Sequence, residues 1–159
     1  MSRVLNIIIN PNPILRKKSL NISQKEINIK EMQELYADMA KTMREKDGVG
    51  LAAPQIGKNI KLSVINTKDG PLVMLNPKLI KKSWAKEWDE EGCLSVPYTS
   101  GKVKRHKKVC CRYLDKKGQE KKIDAEGLLA RVIQHELDHL DGILFIDKAK
   151  EIKKMNEHE

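Results

Sequence analysis

The chemistry of this chain is concentrated in Gln134-His135-Glu136-Leu137-Asp138-His139-Leu140. Two histidines four residues apart share one face of a helix, so His135 and His139 can hold a single metal ion. Glu136 sits one step round from that face, within reach of a proton on a metal-bound water. Such a pair also arises by accident in helices that bind nothing, and two ligands do not complete a site. Downstream, His139-Leu140-Asp141-Gly142-Ile143-Leu144-Phe145 keeps the glycine of a His-x-x-Gly-x-x-His pattern but has Phe145 where the ligand would stand. The glutamates that remain, Glu151, Glu157 and Glu159, crowd the end of the chain. The third ligand is therefore expected upstream.

Glu90-Glu91-Gly92-Cys93-Leu94-Ser95-Val96-Pro97 offers Cys93. One thiolate and two imidazoles suit a tetrahedral metal whose fourth position stays open to water, the catalytic rather than the structural arrangement. Cys110 and Cys111 compete for the role, but adjacent strand residues face opposite ways, so one is expected in the core and the other at the surface. A further stretch, Gly48-Val49-Gly50-Leu51-Ala52-Ala53-Pro54-Gln55-Ile56-Gly57, lets a ligand approach the backbone closely at its glycines. No Gly-Lys-Ser/Thr follows, so it is not a phosphate loop. By itself, Gln55 reads as an ordinary amide.

These side chains need elements to carry them. Residues 128–141 lack Pro and Gly, and Gly142 marks a helix stop. At about 100° per residue, Leu128, Arg131, Val132, His135 and His139 share one side, while Leu129, Ile133, Leu137 and Leu140 share the other. Gln134, Asp138 and Asp141 form a narrow polar stripe. An apolar face opposite a chemical face predicts a helix running through the middle of the fold. Ile29, Met32, Leu35, Tyr36, Met39 and Met43 predict a second helix over 28–46, with Asn28 and Glu31 as its capping pair. Pro11 and Pro13 give extended chain and turn near the start. Strands are expected at 62–65, 73–75, 79–80, 108–114 and 120–123, with Asp124 capping the central helix. The fold class is α+β: short, mostly antiparallel strands packed around a central metal-binding helix.

The 159 residues suffice for one domain with a proper core, ending in a short tail over 146–159. No long apolar run or signal peptide is apparent, and three cysteines do not make a disulfide framework. The formal charge of +9 is carried chiefly as a solvated basic surface, with weak attraction to an RNA-rich partner beside it. With one Phe, two Trp and three Tyr, no platform for stacking bases is evident.

Taken together, Gly-x-Gly-x-Ala-Ala-x-Gln at 48–55, Glu-Gly-Cys-Leu-Ser at 91–95 and Gln-His-Glu-x-Asp-His-Leu at 134–140 resemble the peptide deformylase family, over residues 10–145. The resemblance implies removal of the formyl group from the N-terminal formylmethionine of new polypeptides. It implies Cys93, His135 and His139 as metal ligands, Glu136 as the catalytic glutamate, and Gln55 with the Leu94 amide as oxyanion binders. Val49, Gly50, Glu91, Leu94, Leu128, Arg131 and Val132 are the expected substrate-binding residues. Val49, Leu94, Leu128 and Val132 would enclose a methionine pocket, with Arg131 near its mouth. Ligand chemistry suits zinc and iron alike. The resemblance implies one divalent ion, ferrous iron as the working metal, with zinc, nickel or cobalt able to substitute.

The expected partners are formyl-Met nascent polypeptides and, weakly, the ribosome, with no membrane and no sequence-specific nucleic acid. The implied location is a bacterial-type cytoplasm, or an organelle after loss of a transit peptide. Two features depart from the family. Tyr98-Thr99-Ser100 follows Ser95-Val96-Pro97 where members often have glycine, and only 14 residues follow Phe145 where many bacterial members continue into a longer, ribosome-docking helix. The alternatives are a His-Glu-x-x-His metallopeptidase and a non-enzymatic metal- or RNA-binding module.

Overall fold

The computed structural model describes residues 1–156; Glu157 and Glu159, considered above as ligands, lie outside the described residues. Among the described residues three α-helices, α1 (Gln24–Ile27), α2 (Lys30–Glu45) and α3 (Gly127–Leu140), accompany eight strands. These are β1 (Gly50–Ala52), β2 (Leu62–Thr67), β3 (Gly70–Lys82), β4 (Lys86–Cys93), β5 (Val96–His106), β6 (Lys108–Leu114), β7 (Glu120–Glu126) and β8 (Lys150–Lys154). One sheet has the order β1-β2-β3-β6-β7 and the other β4-β5-β8, every neighbouring pair antiparallel. The α+β reading with antiparallel strands is thus what the chain adopts. No helix among the described residues is long and apolar enough to cross a membrane.

α3 contacts β1, β2, β6 and β7 of the larger sheet and β5 of the smaller one. That position explains its two-sided pattern. Ile133 joins Ile65, Met74, Cys111 and Tyr113 in one core cluster, while His135 and His139 are buried on the other side. The polar stripe is used as well: the Gln134 amide donates to His106 O at 2.9 Å and accepts from His106 N at 3.0 Å, suturing the helix to the end of β5. α2 packs Tyr36, Met39 and Met43 against Leu51, Leu62, Val64 and Leu75 in a second cluster, so its methionines are core.

Several local expectations are corrected. α2 is entered from Ile29 with no side-chain cap, so Asn28 and Glu31 form no capping pair; Asn28 instead ends α1. Asp124 does not cap α3, because β7 continues through it to Glu126, whose side chain caps nothing either. The strands expected at 73–75 and 79–80 are one strand, β3, broken only by register shifts. Cys111 lies in the core cluster, and Cys110 lies on the opposite face between exposed Lys108 and Arg112, yet is itself only 8% exposed rather than a surface thiol. The described residues of the tail include a strand no pattern announced, β8, which pairs with β5.

Candidate metal centre and cleft

Three segments converge on the buried face of α3. The turn joining β4 to β5 brings Cys93, the loop after α2 brings Gly48 to Gln55, and α3 brings His135, Glu136 and His139. The extended N-terminal segment ties the first two together, with Ile8 N bonded to Gln55 O at 2.7 Å and Asn10 N to Ser95 O at 2.9 Å.

One donor atom each from Cys93, His135 and His139 lies within 4.8 Å of the others. Cys93 Sγ is 3.4 Å from His139 Nε2, which is 3.2 Å from His135 Nε2. Ligands about 2.0–2.3 Å from a tetrahedral ion stand roughly 3.4 Å apart, so these separations fit one small divalent cation. His135 Nδ1 donates to Glu91 Oε1 at 2.8 Å, which leaves the lone pair of Nε2 facing the cluster. Two ring nitrogens and a thiolate at these distances repel one another unless a positive charge sits among them. The electrostatics of the site carry the same demand: burial opposes charge on His135, yet Cys93, Glu91 and Glu136 raise its pKa to about 10. His139, fully enclosed and facing the charge of His135, is pushed well below its ordinary value.

Glu91 is the hub behind the ligands. Arg105 grips it through Nε and Nη2, both at 2.9 Å, and Arg131 Nη1 reaches Oε2 at 2.7 Å. Burial would neutralise such a carboxyl, but His135 and Arg105 hold it well below the usual carboxylate range. Arg131 also donates to Val103 O and Glu87 O. Its guanidinium is therefore committed and buried, not free at the mouth of the cleft as expected. Glu91, expected among substrate-binding residues, spends both carboxylate oxygens on these protein partners.

Glu136 is 2% exposed, and its Oε2 has no hydrogen-bonding partner in the protein. Burial, aided by Glu91, raises its pKa to about 7 although His135 and Arg105 oppose this. Such a carboxyl accepts and returns a proton near neutrality. Gly50 lies directly against it: a Cβ there would stand 2.5 Å from Glu136 Oε1. Only glycine allows that approach. Gln55 is aimed as well as buried. Ala52 N can only donate, so it fixes the amide oxygen at 2.9 Å, and the amide NH2 then faces Ser95 Oγ at 3.1 Å and Cys93 Sγ at 3.4 Å.

Over this cluster lies a cleft of about 430 Å³. Val132 is buried in its wall, whereas Val49 and Leu128 are 50% and 66% exposed at its edge. Gly48, Gly50 and Leu94 line it too, as do Glu91 and Arg131 in part. Tyr98 and Met155 form the opposite rim, with Met155 N bonded to Tyr98 O at 2.7 Å. Tyr98 has φ +58°, left-handed backbone that explains why glycine is the easy residue there. Sequence reasoning missed Arg105 and Asp138, whose ion pair continues the network from Glu91. Sequence offered no signal for this: the ladder sets Arg105 opposite Glu87 and Glu91 opposite Gly101, and Arg105 reaches Glu91 only along the strand through its long side chain.

Residues 4–155 match the family described as polypeptide deformylase. A peptide deformylase of Syntrophomonas wolfei is 47% identical over 150 residues, covering 94% of this chain and 96% of the relative. One from Dictyoglomus thermophilum is 45% identical over 140 residues, covering 88% and 89%. Among solved structures, a peptide deformylase from Thermotoga maritima superposes with a TM-score of 0.89 at 34% identity, covering 93% of this chain and 99% of that one. A Synechococcus elongatus peptide deformylase in complex with actinonin gives 0.87 at 40% identity, covering 92% and 79%.

Proposed function

For a chain that belongs to the peptide deformylase family and removes N-terminal formyl groups from nascent polypeptides, we propose the following division of labour among its residues. A divalent ion belongs to this chemistry, and Cys93, His135 and His139 are the residues to hold it. Once bound, such an ion acidifies a water and polarises the formyl oxygen. Glu136 takes the proton from the attacking water and returns it to the leaving amine, so that formate and a free N-terminus result. The Gln55 NH2 and the backbone N–H of Leu94 receive the negative charge that develops on the formyl oxygen. Gly50 and Leu94 hold the formyl group closely, which disfavours the extra methyl of an acetyl group. Val49, Leu94, Leu128 and Val132 take the methionine side chain.

Glu91 and Arg131 act from behind the wall, holding His135 in place. The ion is ferrous iron by family resemblance, with zinc, nickel and cobalt as competent substitutes. Residues 1–159 act as one catalytic domain, working in a bacterial-type cytoplasm or an equivalent organelle. Its +9 surface gives at most weak ribosome attraction.

The observation that carries this reading is the buried, unpartnered Glu136 Oε2 beside three converging metal donors. The deciding experiment purifies the protein anaerobically, measures its metal, and follows formate release from formyl-Met tripeptides alongside cleavage of unformylated peptides. Formate release that tracks metal content is expected. Internal peptide cleavage without formate release would point to a metallopeptidase instead.

A further inference from the structure

The outward face of the smaller sheet has a composition that the deformylation site does not use. In the antiparallel β4–β5 pair, Trp88 stands opposite Lys104 and Glu90 opposite Lys102, and Lys102 stands opposite Lys150 of β8. Directly opposed residues share a face of a sheet. Val103 and Arg105 are buried on the other face, so these residues point to solvent. Lys150 Nζ lies 5.2 Å over the Trp88 ring. At the end of the sheet, in the turn joining β3 to β4, Trp84 is 98% exposed.

That exposure is imposed by a fixed turn. Ser83 N bonds to Lys108 O at 2.8 Å, Lys107 N to Ala85 O at 3.0 Å, and Ser83 Oγ to Ala85 O at 2.8 Å. These bonds pin the backbone on both sides of the indole, and Lys86, Lys104 and Lys107 line one hollow with it. The acids on this face are engaged: Glu151 pairs with Lys102 at 3.2 Å, and Glu90 accepts from Ser100 Oγ at 3.1 Å.

We propose that this face binds single-stranded RNA, with Trp84 stacking a base and Lys86, Lys104 and Lys107 contacting the flanking phosphates. An exposed indole presents a π-face to any unpaired base, and lysines spaced around it track a phosphate backbone. A face built to enter a lipid surface would group several apolar side chains. Here the neighbours of Trp84 in the hollow are Ala85 and three lysines. RNA is the polyanion met by a chain whose substrates are nascent polypeptides. The aromatic count of the sequence concealed this surface, because a single exposed indole that the β3–β4 turn sets among lysines is enough for a stacking site.

The chain has two tryptophans, so W88F leaves Trp84 as sole reporter. Titrating W88F with a ten-nucleotide oligouridine at low salt should quench its emission saturably. The logarithm of affinity should fall with the logarithm of salt at a slope of roughly −0.7 per phosphate engaged, about −2 for three. Against labelled oligouridine, W84A and K104E should each bind about ten-fold more weakly or worse, while formate release from a formylated tripeptide stays at the wild-type rate. The proposal is overturned if no saturable quenching occurs, if W84A binds as well as wild type, or if duplex RNA binds as tightly as the single strand. It is equally overturned if phosphatidylglycerol vesicles shift the Trp84 emission and RNA does not.

Discussion

His135 Nδ1 donates to Glu91 Oε1 across 2.8 Å, and Arg105 and Arg131 clamp the same carboxylate from behind. The bond fixes the imidazole tautomer and aims Nε2 at Cys93 and His139, so the ligand geometry rests on a residue that binds no metal. Glu91→Gln should weaken metal affinity about 10–100-fold, as loss of such a supporting bond does. It should also lower the melting temperature, because buried Arg131 loses its counter-charge and Arg105 is left with Asp138 alone. The folded-state pKa of Glu91 lies below its ordinary 4.5, so its stabilising contribution is complete above that pH and disappears as pH falls further. Chelator competition and thermal melts from pH 7 to 3 check both; wild-type metal affinity in Glu91→Gln would reject the positioning role.

Glu136 carries a proton and binds nothing else, so Glu136→Gln should keep its metal while turnover falls about 10²–10⁴-fold. The carboxylate form is the active one and its pKa is raised to about 7, so activity should appear as pH rises through an acid limb. A nearby dication pulls that limb below about 7. Rates measured with metal content recorded at each pH should show the limb in the wild type and none in the residual activity of Glu136→Gln.

Gly50→Ala tests the closeness of β1 to that carboxylate. The new Cβ would meet Glu136 Oε1 at 2.5 Å and Cγ at 2.9 Å, so the carboxylate must shift from its place. A displacement near 1 Å at the proton carrier costs on the order of 10²-fold in rate. The variant should therefore fold and bind metal yet lose about that much kcat, whereas Gly70→Ala, with nothing within 4 Å of its Cβ, should keep full activity despite its strained turn.

The three motifs were legible because their chemistry depends on residue type and short spacing: His135 and His139 on one helix face, Cys93 as the one thiol outside the paired Cys110 and Cys111. The α3 span was legible for the same reason, since its period and its stop at Gly142 are local. What the sequence hid is set by pairing between distant segments. No strand was expected over Val96–His106, where the charge of Arg105 is buried and neutralised by Glu91 of the neighbouring strand. Lys150–Lys154 carries no apolar alternation because β8 is exposed along its whole length. Arg131 was put at the cleft mouth by its place on the helical wheel, which says nothing about which carboxylate waits there.

Cys93 should be the one cysteine that the metal requires. Cys93→Ala should lose most bound metal. Cys110→Ala and Cys111→Ala should retain it, since burial raises the Cys111 thiol to about 11 and keeps it protonated at neutral pH. Metal per protein by elemental analysis after desalting distinguishes them, and full occupancy in Cys93→Ala would remove it from the ligand set.

Selectivity should reside in the apolar wall of the cleft, where Val132 is buried beside His135 while Val49 and Leu128 flank the opening. A flexible, polarizable methionine side chain suits such a wall, and each contact group it loses is worth about 1–3 kcal/mol, or roughly 10–200-fold in kcat/KM. Formyl-Met tripeptides should therefore be deformylated far faster than matched formyl-Gly tripeptides, and acetyl-Met peptides scarcely at all. Val132→Phe projects a ring into the same space and should depress kcat/KM for formyl-Met much more than for formyl-Gly, with metal content unchanged. Val132 also packs in the cluster around Ile65 and Ile133, so the variant's melting curve must be compared with that of wild type. Val49→Ala offers a check free of that packing, because half of Val49 faces solvent; it should lower the formyl-Met rate mainly through KM. Equal kcat/KM for formyl-Met and formyl-Gly in the wild type would show that this wall does not read the side chain.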